Sequence, residues 1–177
     1  MSIVTSASKV SHRSRQKEIY GNHECSQGMV KKILVAVDGS EPAQKALDYA
    51  LVLADICGAE VVILSVVPHL HLPTSSDPDE GITASELFEV TAKMRSVHEG
   101  VLKDALAKAQ SKKPRLKIST KLVDGHPADE IIKFSEEGGF DLIVMGSRGL
   151  HGISEFLLGS TTHRVADHCK KPLLIIK

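Results

Sequence analysis

The chain has 177 residues, which suits one domain, and 42% of them are hydrophobic, enough for a substantial core. Its apolar content is aliphatic, with no Trp, two Tyr and four Phe. The formal net charge is zero, which argues against a strongly basic nucleic-acid surface, and no apolar run approaches the ~18 residues of a membrane span.

Residues 1–28 read as a disordered leader. They are rich in Ser, Lys, Arg and His, show no sustained periodicity and lack the apolar centre of a secretory signal. An organelle-targeting segment and an alternative start at Met29 remain as other readings. The folded domain is expected over 29–177. Cys25, Cys57 and Cys169 are far apart with no C-x-x-C pair, which argues against a disulfide framework or a structural zinc site. Cys57 and Cys169 fall in apolar contexts and read as buried thiols of a cytoplasmic protein.

Lys32 to Val37 is the first apolar run, followed by Asp38-Gly39-Ser40. Ser40 is a helix cap with Pro42 in the first turn, and Ala43, Ala46, Leu47, Ala50, Leu51 and Ala54 keep helical spacing up to a stop at Gly58. Val61 to Val67 is a second, nearly continuous apolar strand closed by Pro68. A polar loop from His69 to Ala84 carries the pair His69-x-His71, too sparse for a metal site. Leu87, Val90, Met94, Val97, Val101, Ala105 and Lys108 then trace one face of a long helix, read as core.

Leu116, Ile118, Thr120 and Leu122 alternate with Lys117, Ser119 and Lys121, the pattern of an edge strand. Pro127 opens a third helix, with Asp129 and Glu130 in its first turn, and Gly138-Gly139 close it. Phe140 to Met145 is the fourth strand. The fourth helix is expected from Ser160 to Cys169 and the last strand over Leu173 to Ile176. The order β-α-β-α-β-α-β-α-β implies an α/β domain with an open, parallel, five-stranded sheet and helices on both faces. In such sheets ligands bind at the carboxyl ends of the strands, where strand order switches. If strands one and four are neighbours, Asp38 and Gly146 line one crevice.

The most informative stretch is Gly146-Ser147-Arg148-Gly149, nine residues, then Gly159-Ser160. Strand, glycine loop and helix start form an arrangement that cradles phosphate. Glycines let the backbone approach an anion and adopt φ > 0, and the free N–H groups and dipole of a helix start favour negative charge. It is neither a Walker A loop, since the chain has no Gly-Lys pair, nor the G-x-G-x-x-G dinucleotide fingerprint. Spacing alone serves a plain surface loop equally well. Arg148 reads either as a phosphate partner or as a solvated loop residue. His151 and His163, near the same loop, read as exposed. Asp38 is commonly a turn residue, and with the glycine loop becomes a ligand candidate.

The stretches KKILVAVDGS, VVILSVVP, GHPADEII and FDLIVMGSRGLHGISEFLLGSTTHRVADHCKKPLLIIK resemble the universal stress protein family, from Lys32 to Lys177. The loop fits that family's ATP-binding pattern G-x2-G-x9-G-[ST] at Gly146, Gly149, Gly159 and Ser160. The resemblance implies a Rossmann-like fold of the adenine nucleotide α-hydrolase type. It implies backbone at Ala36, where other members have proline, and Asp38 near the ribose and phosphates. Val66 would meet the adenine edge by its main chain. Gly146, Ser147, Arg148 and Gly149 would wrap the ribose and phosphates, and Gly159, Ser160 and Thr161 would bind phosphates. The implied ligand is ATP, with magnesium only as its counter-ion, and the implied assembly is a homodimer through the last strand.

The function expected is that of an ATP-binding regulatory or stress-response sensor, with no catalytic residue and no resident metal. Two alternatives stay open: a slow ATPase, and a dimerisation module binding another adenine nucleotide. The loop has no Lys, no acidic base stands out beyond Asp38, and no G-x-S-x-G elbow occurs. Neither nucleic acid nor membrane is an expected partner.

Overall fold

The computed structural model describes residues 30–69, 83–150 and 158–177. The leader over 1–28, Cys25 and Met29 lie outside them. Along the described chain run β1 (Lys32–Ala36), α1 (Glu41–Cys57), β2 (Glu60–Pro68), α2 (Ala84–Lys112), β3 (Ile118–Gly125), α3 (Pro127–Glu137), β4 (Leu142–Gly146), α4 (Ser160–His168) and β5 (Leu173–Ile176). All pairs are parallel and the sheet order is β3-β2-β1-β4-β5. This is the open α/β sheet expected from the alternation of elements, and β3 is indeed an edge strand.

The first two crossovers step outward from β1 in one direction. The connection from β3 then returns past β1, so direction reverses between β1 and β4. These two strands run in register through Ala36 opposite Met145. Their diverging connections leave a crevice at the carboxyl ends.

Both faces of the sheet are covered, which is why β1, β2 and β4 are almost uniformly apolar rather than alternating. On one face Ile33, Val35, Val61 and Ile63 pack with the alanine-rich side of α1 and with Leu102 and Ala109 of α2. On the other, Leu34, Val62, Leu64 and Ile143 pack with Ala128 and Ile131 of α3 and Val165 of α4. Helix α1 starts where its sequence signals it. Ser40 Oγ accepts from the Ala43 N–H at 3.4 Å, and Gly58 ends the helix at φ 68°, a conformation that favours glycine.

Three local expectations are corrected. The long stripe on α2 is not core along its length. Val90 is 45% and Val97 54% exposed and Val101 and Ala105 are only partly buried, whereas the buried Leu102 and Ala109 lie one position off the stripe. Phe140 and Asp141 precede β4 rather than belonging to it. The Asp141 carboxylate accepts from the backbone N–H groups of Lys31 at 2.8 Å and Lys32 at 3.0 Å, which fixes the entry of β4 beside β1. Cys57 and Cys169 are half-buried rather than fully buried, and the Cys169 sulfur accepts from the Lys171 N–H at 3.3 Å.

Candidate functional site

A cavity of about 340 Å³ occupies the crevice at the carboxyl ends of β1, β2 and β4. Ala36, Asp38, Val66, Gly146, Arg148, Gly149, Gly159, Ser160 and Thr161 line it, so these sequence-predicted site residues come together in space. Leu64, Ile131 and Met145 add apolar walls. Such a cavity, mostly apolar with a few converging polar groups, is the usual form of a small-molecule site.

Ser147 is placed differently. It is only 2% exposed and is absent from the lining. Its backbone fastens the loop: its N–H donates to Ile176 O at 2.6 Å, and its carbonyl accepts from Gly159 N–H at 2.9 Å. Its hydroxyl has no hydrogen-bond partner among the described residues.

The loop glycines serve close approach rather than unusual dihedrals. None of Gly146, Gly149 or Gly159 is among the positive-φ glycines, which corrects the expectation of φ > 0 there; Gly152 lies outside the described residues. A Cβ on Gly146 would sit 2.8 Å from the backbone nitrogen of Ala43, so a side chain is excluded by the N-terminus of α1. A Cβ on Gly149 would sit 2.5 Å from Asp38 Oδ2. The other Asp38 oxygen accepts from the Ser40 N–H at 3.0 Å. Asp38 is therefore both a turn residue and a wall of the crevice. Ser40 Oγ also donates to Arg148 O at 3.3 Å, tying the two loops together.

Gly159, not Ser160, occupies the N-cap position of α4, with φ −62° and ψ 154°, and no side chain caps the helix. Ser160 is its first helical residue, where the sequence places the helix start. The first-turn N–H groups of a helix have no intrahelical partner, and here they border the cavity beside Arg148. That is the electrostatic environment an anionic group requires. Thr162, not foreseen from sequence, holds this helix end on the strand. Its Oγ1 donates to Gly146 O at 2.9 Å in a buried bond.

His98 is a second unforeseen wall residue. It reaches the cavity from α2, half-buried, with Nδ1 2.8 Å from Ser65 Oγ. Burial pushes its pKa below the ordinary histidine value, and the Asp38 charge partly opposes this. Ser65 Oγ in turn donates to Val37 O at 2.8 Å. No motif flags His98, since it lies off the apolar stripe and enters the site only through the packing of α2 over β2.

The other histidines are placed away from chemistry or beyond description. His163 is exposed and its Nδ1 lies 3.0 Å from Asp167 Oδ2. His69 is exposed, and His71 and His151 lie outside the described residues. Among the described residues no group of three or more His, Cys, Asp or Glu could hold a metal ion. None of their helices is long and apolar enough to cross a membrane.

The model of the universal stress protein family matches residues 29–177. The chain belongs to the universal stress protein family. It is 36% identical over 150 residues to universal stress protein YxiE of Bacillus subtilis, an alignment covering 84% of this chain and all of that one. Universal stress protein MJ0577 of Methanocaldococcus jannaschii is 32% identical over 155 residues, covering 84% of this chain and 96% of the other. Among solved structures, universal stress protein UspA from Lactobacillus plantarum superposes with a TM-score of 0.69 at 26% identity, covering 85% of this chain and 99% of that one. A universal stress protein solved in complex with cAMP superposes with a TM-score of 0.62 at 26% identity, covering 85% of this chain and 99% of that one. The fold is thus that of a family in which one solved relative is in complex with cAMP.

Proposed function

We propose that this universal stress protein binds ATP in the crevice and acts as a regulatory nucleotide sensor. The observation that supports this most is the convergence of the glycine-loop backbone, the uncapped start of α4 and Asp38 on one cavity. The apolar walls Ala36, Leu64 and Val66 suit a base, with Val66 meeting the adenine edge by its main chain. Asp38 suits the ribose. Gly146, Ser147, Arg148 and Gly149 wrap the ribose and phosphates, Ser147 through its backbone, and Gly159, Ser160 and Thr161 take the phosphates. Magnesium accompanies the nucleotide as its counter-ion, since Asp38 is the one carboxylate among the described lining residues. The sensor acts in the cytoplasm as a homodimer joined through β5.

Turnover is proposed to be slow or nil. Phosphoryl transfer to water needs a group that orients or deprotonates the nucleophile. Asp38 is the candidate, and its Oδ1 is already engaged by the Ser40 N–H. A second reading, another adenine nucleotide, is favoured by the relative solved with cAMP.

Titration calorimetry of the purified chain with ATP, ADP, AMP and cAMP tests both readings. ATP is expected to bind tightest. Gly149→Val, which drives a side chain into Asp38 Oδ2, is expected to weaken ATP binding at least about tenfold, ~1.4 kcal/mol. Unchanged affinity in that variant removes the assigned site. ATP hydrolysis at an ordinary enzymatic rate, about 10 per second, overturns the assignment of a non-catalytic sensor.

A further inference from the structure

The imidazole of His98 has one nitrogen fixed by the fold. Ser65 Oγ is within 2.8 Å of both Val37 O and His98 Nδ1. A carbonyl oxygen only accepts, so the single Ser65 hydroxyl proton lies on the Val37 bond. Ser65 Oγ must then accept from His98, which places the ring proton on Nδ1. Nε2 is left as a bare lone pair, and it has no hydrogen bond among the described residues. Burial favours this neutral form. With Nδ1 engaged by Ser65, Nε2 is the ring nitrogen that this lining residue has left for a ligand.

The sheet order says which part of a ligand this edge meets. The α4 start is tied to the end of β4 by the Thr162–Gly146 bond, on one side of β1. His98 is tied to β2, on the other side of β1. Of the apolar walls, Ala36 ends β1 between them, and Leu64 and Val66 flank Ser65 on β2 itself. An anion at the α4 start therefore leaves the uncharged part of the same ligand toward His98.

We propose that His98 is a specificity-determining residue of the crevice, accepting at Nε2 a hydrogen bond from a donor on the nucleoside part of the ligand, an exocyclic base amine or a ribose hydroxyl. This rests on the nucleotide reading above. It goes beyond it by giving the crevice a side-chain acceptor that selects among nucleosides, where the glycine loop and helix start select only for phosphate. The competing role is mechanical: His98 would merely fasten α2 to β2 through Ser65.

Two substitutions separate the roles. His98→Asn keeps a donor near the Nδ1 position and removes the acceptor, whereas His98→Gln carries an acceptor to about the Nε2 position. Affinities of wild type and both variants are measured by calorimetry for ATP, ITP, 2′-deoxy-ATP and 3′-deoxy-ATP. ITP lacks the amine and each deoxy analogue lacks one hydroxyl. The expected result is a roughly tenfold loss for ATP in His98→Asn, largely restored in His98→Gln, consistent with one lost hydrogen bond in a desolvated site. One analogue is expected to bind wild type about tenfold more weakly than ATP, and to bind His98→Asn as well as ATP does; its identity names the donor.

On wild type, the imidazole ¹⁵N spectrum is expected to show the Nδ1–H tautomer without ligand and a shift of Nε2 on saturation with ATP. That measurement needs no variant and so stands even if a substitution impairs folding. An Nε2 resonance unmoved by saturating ATP overturns the proposal. So does a loss in His98→Asn that is equal for all four nucleotides and not restored in His98→Gln, which assigns fastening alone. Wild-type ATP affinity in His98→Asn overturns the role of His98 and leaves the nucleotide site standing. Failure of the wild type to bind any of the four overturns the nucleotide reading and this proposal with it.

Discussion

Asp38 Oδ1 accepts the Ser40 N–H at 3.0 Å, while Oδ2 lies where a Cβ on Gly149 would reach it at 2.5 Å. The two oxygens thus face two different tasks, the turn into α1 and the crevice, and substitution can part them. Asp38→Asn keeps an acceptor for Ser40 and replaces the second oxygen with an amide donor. We expect its unfolding free energy to stay near wild type, with ATP affinity reduced about tenfold, as for loss of one strong hydrogen bond. Asp38→Ala is expected to lose both, with about 1 kcal/mol of stability. Urea titration and calorimetry read the two properties separately. An Asp38→Asn chain as destabilised as Asp38→Ala, with unchanged affinity, would make Asp38 a turn residue only.

Helix α2 shows how an element can outrun its support. Its 29 residues span about 44 Å at ~1.5 Å per residue, whereas the eight residues of β3 span about 26 Å at ~3.3 Å each. The C-terminal half therefore lies on the sheet and buries Leu102 and Ala109, and the N-terminal half, with Val90, Val97 and the 75% exposed Phe88, extends past it. Along the supported half, charge joins α2 to α1. Asp48 of α1 lies 3.1 Å from Lys108 and 2.8 Å from Lys112. Burial alone would raise the Asp48 pKa, and the two lysines more than reverse this, leaving it below the ordinary carboxylate value. A carboxylate with a depressed folded-state pKa stabilises the fold above its unfolded pKa, and that contribution disappears as pH falls through the folded value. Asp48→Asn is therefore expected to cost about 0.5 kcal/mol at pH 7, a partly exposed cluster being well screened, and close to nothing at pH 3. Urea denaturation of both chains across that range measures it, and a difference independent of pH would assign the loss to packing.

At the scale of the whole molecule, β3 and β5 are the two edges of the sheet, and they differ in chemistry. The β3 edge carries Lys121 within the strand and Lys117 just before it, charges of the kind that discourage pairing. Leu173–Ile176 has no charge, and all four residues are only half-buried. Leu174 and Ile176 pack on one core cluster and Leu173 on the other, while Ile175 belongs to neither. A two-fold contact along β5 would cover this strand in a closed dimer. Because Ile176 O receives the Ser147 N–H, removing the strand would also unfasten the glycine loop, so a point substitution is the cleaner probe. Ile175→Glu is expected to give a folded monomer from a dimeric wild type. Light scattering with circular dichroism decides it; a monomeric wild type, or a dimeric Ile175→Glu chain, would place the interface elsewhere or abolish it.

Elements whose signals are local could be read from sequence. Ser40, Pro42 and Gly58 bracket α1, the unbroken apolar runs announce strands buried on two faces, and the glycine loop stands between a strand and a helix start. These depend on residues within a few positions of one another, so the linear chain carries them. Most of the crevice followed once β1 and β4 were taken as neighbours, since strand ends carry Asp38 and Gly146 to one place. What the sequence could not carry was direction and distance between remote elements. Ser147 lies inside the motif, yet its side chain turns into the protein, because the loop must hand one N–H to β5. Ser160 has a capping residue's chemistry, yet Gly159 takes the cap. Thr162 and His98 reach the site only because α4 is held against β4 and α2 lies over β2. His98 is 33 residues from Ser65 in the chain and 2.8 Å from it in space, a closeness that only the packing of a helix on a sheet creates.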